Sequence, residues 1–180
     1  MTFKQSRLLI SLAALTLALT ACTITFVPGD ITLRGTVRFG VEVGDIITRF
    51  EPTRGAGARY RPGDSISFLI RTTSDGYITL TSISPDGTVD VFQRNIFVRG
   101  GIDNIIPTRG RFIVSSRGGR DYGVNRVRAL FTPEPTRGRV TYRGVWSDSD
   151  WTQSIRVELE PFPVTARDVR ETSFVIVRRR

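Results

Sequence analysis

Histidine is absent from this chain of 180 residues, and cysteine and methionine occur once each. Lysine occurs only at Lys4, so the 24 basic residues that follow Arg7 are all arginine. Without histidine, the Ser-His-Asp and Cys-His mechanisms are excluded, and typical zinc, copper and haem sites lose their ligands. Without a later lysine, Schiff-base chemistry and the phosphate-binding lysine of a P-loop are excluded. Carboxylate chemistry and oxygen-ligated Ca²⁺ or Mg²⁺ are the remaining options, and we expect no cofactor and no metal.

The N-terminal residues 1–21 have the three parts of a secretory signal peptide. Lys4 and Arg7 form the basic part, and residues 8–18 form an apolar part that is shorter than the ~20 residues needed to span a bilayer. Its end, Leu19-Thr20-Ala21-Cys22, resembles the lipobox of bacterial lipoproteins. That resemblance implies cleavage before Cys22 and acylation of Cys22, which would anchor the chain firmly without a transmembrane helix. The alternative is an ordinary cleavable signal peptide with an accidental cysteine.

The residue after Cys22 predicts the membrane in which the protein lies, and the net charge predicts the kind of partner. Thr23 stands where lipoproteins of the inner membrane often carry aspartate, so we expect the outer membrane, on its periplasmic or surface side. Removal of residues 1–21 takes away two basic residues and lowers the net charge from +9 to +7. This excess of positive charge favours an envelope protein or an acidic polymer of the cell wall as partner. We expect no nucleic acid as partner, because an exported protein does not meet intracellular nucleic acid. We expect most arginines to be solvated on polar strand faces.

The mature chain divides into a short tether and one domain. Residues 22–45 are predicted to be a tether with an edge hairpin about Gly35, and residues 46–178 to be a β-rich domain. Residues 65–94 have the clearest pattern, because apolar residues alternate with polar ones between the turn signals Asp75-Gly76 and Pro85-Asp86-Gly87. We predict an antiparallel three-stranded meander over residues 65–94, a loop over 95–101 and an edge segment over 104–107.

Residues 150–159 fit two secondary-structure patterns. Trp151, Ile155 and Leu159 have the spacing of a helix face, and a serine or aspartate just before Trp151 would cap that helix. The end of the segment also alternates between apolar and charged residues, which is typical of a strand. We favour the helix and keep the strand as the alternative.

Seven or eight short strands, frequent turns and at most one helix predict an all-β or mainly β fold. The expected architecture is an antiparallel β-sandwich of immunoglobulin-like appearance, or a partly open barrel.

The stretch from Gly63 to Thr132 carries short motifs in a characteristic order. They are Gly63-Asp64-Ser65-Ile66-Ser67-Phe68, Asp75-Gly76-Tyr77-Ile78-Thr79-Leu80, Pro85-Asp86-Gly87 with Phe92 and Asn95, and Arg128-Ala129-Leu130-Phe131-Thr132. In this order they resemble a bacterial domain of unknown function that occurs in envelope lipoproteins and beside signalling or peptidase domains. The resemblance implies a binding or scaffolding module, and it carries no catalytic residue over to this chain.

One cluster has the composition of a site. Its members are Trp146, Asp148, Asp150 and Trp151. Two carboxylates beside aromatic rings are suited to binding a sugar, or to acid and base catalysis in a glycosidase. The structural alternative is a helix cap with tryptophans that close the core. Asp75 and Asp86 offer oxygen ligands for Ca²⁺, but their Asp-Gly turns explain them without a metal.

Three hypotheses for function follow from the sequence. The first is a non-enzymatic envelope lipoprotein that binds or scaffolds an envelope protein or anionic cell-wall polymer. The second is a carbohydrate-active enzyme that works through carboxylates. The third is a structural subunit of a surface layer or outer-membrane complex.

Overall fold

The computed structural model describes residues 36–178. The predicted signal peptide, Cys22, residues 23–35 of the tether and the last two arginines lie outside these residues. The described part forms thirteen strands, one α-helix and two short 3-10 helices. The strands are β1 (Thr36–Arg38), β2 (Val41–Val43), β3 (Ile47–Pro52), β4 (Arg59–Tyr60), β5 (Ser65–Ile66), β6 (Phe68–Thr72), β7 (Gly76–Ile83), β8 (Thr88–Val98), β9 (Asp103–Ile106), β10 (Phe112–Ile113), β11 (Gly123–Thr132), β12 (Gly144–Val145) and β13 (Asp168–Ile176), and the helix is α1 (Asp148–Leu159). None of its helices has the length and apolar character needed to cross a membrane.

The largest sheet has six strands in the order β12-β8-β7-β11-β13-β4. All neighbours in it are antiparallel except β13 and β4, which run parallel. The predicted hairpin of β7 and β8 is confirmed, and Gly87 provides its turn with a positive φ of 81°. The predicted loop over 95–101 is wrong at its start, because β8 continues to Val98 and buries Ile96 and Val98.

The second sheet has three antiparallel strands in the order β3-β6-β9. We predicted β6 as the first strand of a meander with β7 and β8, and this was wrong. Three residues separate β6 from β7, but the chain crosses to the other sheet within them, and Thr73 donates its N–H to the carbonyl of Ile46. The predicted edge position of residues 104–107 is confirmed, since β9 is an outer strand of this sheet.

The two sheets face each other across the main hydrophobic core. Phe68 from the smaller sheet is fully buried there, and its ring centroid lies 5.7 Å from those of Phe50 and Phe92 and 6.5 Å from that of Phe174. Apolar residues of β7, β11 and β13 complete this core, among them Ile78, Leu80, Val127, Ala129 and Phe131. The protein is therefore a mainly β sandwich, as predicted.

A second core covers the opposite face of the six-stranded sheet. Helix α1 and the β1–β2 hairpin pack on it, and Val41 and Val43 of the hairpin are buried beside Leu130 and Val169. We predicted that the packed domain starts at residue 46, whereas the structure already packs residue 41. The hairpin of β1 and β2 turns at Phe39–Gly40, whereas the predicted hairpin about Gly35 lies outside the described residues. The central sheet is consequently buried on both faces.

The helical pattern of residues 150–159 is the correct one. Trp151, Ile155 and Leu159 are fully buried, because they form the stripe that faces the sheet. The helix starts earlier than predicted: its N-cap is Ser147, so it begins at Asp148.

Candidate functional site

The predicted cluster lies together at the N-terminal end of α1, but its members are used by the fold. Trp151 is fully buried, and its Nε1 donates to Thr81 Oγ1 of β7 at 3.0 Å. Trp146 is half-buried and packs against Tyr142, with ring centroids 5.6 Å apart. The burial of Trp151 and the packing of Trp146 favour the core and cap interpretation of this cluster.

The two aspartates of the cluster are engaged in ion pairing and capping. Arg126 binds both carboxylate oxygens of Asp148, which holds the pKa of Asp148 below its ordinary value. Asp150 accepts from the hydroxyl and the backbone N–H of Ser147, which lowers its pKa as well. A general acid at neutral pH needs a raised pKa. The geometry of this pair therefore gives no support to a glycosidase site.

Replacing Ser147 with Ala should lower the free energy of unfolding by about 1 kcal/mol. The substitution removes the acceptor for the N–H of Asp150, now 3.2 Å away, and half of the capping box. Urea denaturation measures the loss. Gln153→Ala, at an exposed position further along α1, is the control and should change stability by less than about 0.5 kcal/mol. Equal losses in the two variants would show that Ser147 is not the cap.

Arg128 is an exception to the expectation that most arginines are solvated. Its side chain is only 3% exposed, and its guanidinium carbon lies 4.0 Å from the Trp151 ring centroid and 4.2 Å from that of Phe39. Its Nε donates to Glu171 Oε2 at 2.7 Å. Burial lowers the pKa of Arg128, and the Glu171 carboxylate opposes that shift. This arginine joins the helix, the hairpin and the sheet, and it is not available to a partner.

Asp64 and Asp86 close local turns, as their spacing predicts, whereas Asp75 joins the residue before β7 to the segment after β8. Asp86 accepts the N–H of Thr88 at 3.0 Å, and Asp75 accepts that of Gly100 at 2.8 Å. Asp64 accepts the N–H of Arg61 at 2.9 Å, and this hydrogen bond lowers its pKa. Within residues 36–178, no group of three or more His, Cys, Asp or Glu residues is arranged to hold a metal ion.

A cavity of about 350 Å³ opens at a different place, between β8, β10 and the start of β11. This volume lies within the range of small-molecule sites. Its apolar wall includes Phe92, Phe112 and Phe174, and the rings of Phe92 and Phe112 lie 5.2 Å apart. Its polar wall includes two acidic and two basic side chains, an amide and several hydroxyls. The charged members are Asp90, Asp121, Arg111 and Arg117.

Asp121 is the unusual group in this cavity. Its side chain is 6% exposed, and its Oδ1 has no hydrogen-bond partner among the described residues. The nearest cation is Arg117, whose Nε lies 3.8 Å from Oδ2, which is too long for a hydrogen bond. A buried carboxylate oxygen without a donor is costly, and such groups in native proteins call for an explanation.

The backbone around Arg117 is strained on the same side of the cavity. Arg117 has a positive φ of 34°, which a residue with a side chain rarely adopts. Its guanidinium pairs with Asp90 across the opening as well as approaching Asp121. Strained residues are frequent at functional sites, where the surrounding structure holds them in position.

The sequence pattern gives no indication of this cavity. Residues 118–123 have the glycine-rich composition of a mobile loop, and this composition does not indicate that Asp121 is buried. The cavity is lined by residues of β5, β7, β8, the segment 111–125 and β13, so local spacing alone does not bring its wall together. The available signal was a lone aspartate beside an aromatic residue, Asp121-Tyr122, between two glycine-containing turns.

Comparison with known proteins agrees with the resemblance seen in the motifs. Neither the curated proteins nor the solved structures contain a match to this chain. A family match covers residues 59–135, from β4 to the loop after β11. It therefore contains the β7–β8 hairpin and Asp121, and leaves out α1 and β13. The matched stretch is similar to the family described as Domain of unknown function (DUF4384).

Proposed function

We propose that the protein is a lipid-anchored module of the bacterial cell envelope that binds an envelope protein or an anionic cell-wall polymer and does not catalyse a reaction. The observation that carries the binding role is the cavity beside Asp121, where a buried carboxylate lacks a hydrogen-bond donor. The proposed anchor is Cys22, which ends the apolar N-terminal run. The outer membrane is the proposed location, because Thr23 and not aspartate follows the cysteine.

The charge distribution supports an acidic partner. Arg137, Arg139 and Arg143 are exposed in the segment between β11 and β12, and none of them forms an ion pair within the described residues. Arg137 and Arg139 line a second groove together with Glu134, Glu158 and residues 161–163. Neighbouring cations without acidic partners raise the local concentration of a polyanion through long-range attraction.

Replacing Cys22 with Ser should move the protein from the membrane fraction to the soluble fraction. Serine offers no thiol for acylation, and the lipid is the only membrane attachment in the proposal. Fractionation of cells that express the full chain, with detection by immunoblot, measures the change. Thr23→Ser is the matched control and should stay in the membrane fraction. A Cys22→Ser protein that resists extraction from membranes as well as the wild type would contradict the anchor.

Cross-linking in native envelopes, followed by mass spectrometry, tests the binding role. We expect the wild type to capture one envelope protein or polymer fragment, and a double variant Arg137→Gln, Arg139→Gln to capture less if that partner is acidic. Arg49→Gln is a matched control, because Arg49 is already paired with Glu51 and Asp103. Capture of a regular array of copies of the chain itself would instead support a structural subunit, and turnover of a glycan would overturn the non-enzymatic role.

A further inference from the structure

The cavity beside Asp121 is suited to a ligand that carries hydrogen-bond donors. Asp121 offers a buried carboxylate oxygen without a partner. Asn125 lies next to it, and its amide nitrogen already donates to the carbonyls of Asp121 at 2.8 Å and Gly123 at 3.2 Å. The amide oxygen of Asn125 is therefore the atom that can accept a hydrogen bond from a ligand. Both side chains at the inner end of the polar wall are acceptors.

The charges of the wall favour donors on an uncharged group. Asp90 and Asp121 are balanced by Arg111 and Arg117, and Arg117 stands 3.8 Å from Asp121. An ammonium group that approached Asp121 would also approach the Arg117 guanidinium, and the two cations would repel each other. Hydroxyl groups supply donors without this repulsion.

The apolar wall adds a second requirement. The rings of Phe92 and Phe112 are partly buried, and Ile66, Phe174 and Ile176 lie beside them. A ligand in this cavity needs an apolar face for the rings and several donors for the opposite wall. A purely apolar ligand would exclude water from Asp121 and leave it without a donor, which is unfavourable. A sugar ring combines a face of C–H groups with adjacent hydroxyls, and so meets both requirements.

We propose that this cavity binds a saccharide unit of a cell-envelope polymer, with the sugar hydroxyls donating to Asp121 and Asn125 and the C–H face lying on Phe92 and Phe112. The inference rests on the proposed binding function and specifies its ligand. Arg111 lies at the exposed rim of the cavity, where it would contact an acidic substituent of the sugar. The cavity therefore suits both uncharged and acidic saccharides.

Isothermal titration of the purified full chain tests the proposal. The protein is kept in a detergent without a sugar headgroup, and the probes are an N-acetylglucosamine trimer and a galacturonic acid trimer. We expect binding of at least one trimer and a loss of about ten-fold or more in affinity in Asp121→Asn, which removes the charged acceptor. Asp148→Asn is the matched control, because that carboxylate lies at the start of α1, and it should bind like the wild type.

A second variant keeps the test informative if Asp121→Asn does not fold. Ser115 is exposed at the rim, so Ser115→Trp should fold normally and abolish binding by filling the cavity. Binding by the wild type that neither variant weakens would overturn the cavity as the site. Absence of binding of both trimers would overturn the saccharide, while the cross-linking experiment decides separately whether the protein binds an envelope partner.

Discussion

Replacing Asp168 with Asn is expected to lower the free energy of unfolding by about 3–5 kcal/mol. The Asp168 side chain is fully buried at the start of β13, where its Oδ2 accepts the N–H groups of Ile46 and Ile47 at 2.8 and 2.7 Å. Its other oxygen pairs with Arg38 of the β1–β2 hairpin. Asparagine has nearly the same shape but no charge, and its NH₂ group would face donors. The loss therefore measures the ionic contacts and not a cavity.

Urea denaturation at neutral pH measures this effect, and Asp45→Asn provides the matched control. Asp45 pairs with the same arginine, but its side chain is 68% exposed. Exposed ion pairs contribute at most about 1 kcal/mol, so the control should lose far less than Asp168→Asn. Similar losses in the two variants would mean that the buried carboxylate does not hold the hairpin to the sheet.

Replacing Trp151 with Ala should cost about 3–5 kcal/mol of unfolding free energy. The indole is fully buried between α1 and the six-stranded sheet, and it donates to Thr81. Its removal leaves a cavity and also takes away the ring on which the Arg128 guanidinium lies at 4.0 Å. The Arg128 guanidinium would remain buried, but it would lose the cation–π contact with the Trp151 ring that helps to offset its desolvation.

Trp146→Ala is the control for this substitution. Trp146 has the same side chain and lies five residues earlier, but it is half-buried and contacts Tyr142 at the edge of the second core. Thermal or urea unfolding of both variants should show a clearly smaller loss for Trp146→Ala. Equal losses would show that the buried Trp151 indole contributes no more to stability than the half-buried Trp146 indole.

Several parts of the fold follow from local chemistry and were predictable. The β7–β8 hairpin depends on Pro85-Asp86-Gly87, where proline and a glycine with positive φ favour one turn. Helix α1 follows from the spacing of its three buried apolar residues. In each case the determining residues are near one another in the chain.

The partners of strands were not predictable in the same way. The alternation of Phe68, Leu69 and Ile70 identifies a strand and its buried face, but it contains no information about which strand lies beside it. The three residues after β6 have the length of a hairpin connection, and yet β6 pairs with β3 and β9. The position of β13 in the six-stranded sheet was equally unpredictable. This strand lies between β11 and β4, although it is outside the matched family segment.

The sequence alone therefore determined the mainly β class, the turns, the helix and the chemistry that the chain lacks. The prediction of an anchor at Cys22 also comes from sequence alone, since that residue lies outside the described structure. Only the tertiary structure decided which polar residues are buried. Arg128 alternates along β11 as a surface residue would, and it is buried because α1 covers that face. Asp121 is unpartnered in a cavity because distant segments converge around it. Burial depends on what packs above a residue, and that is a property of the whole chain.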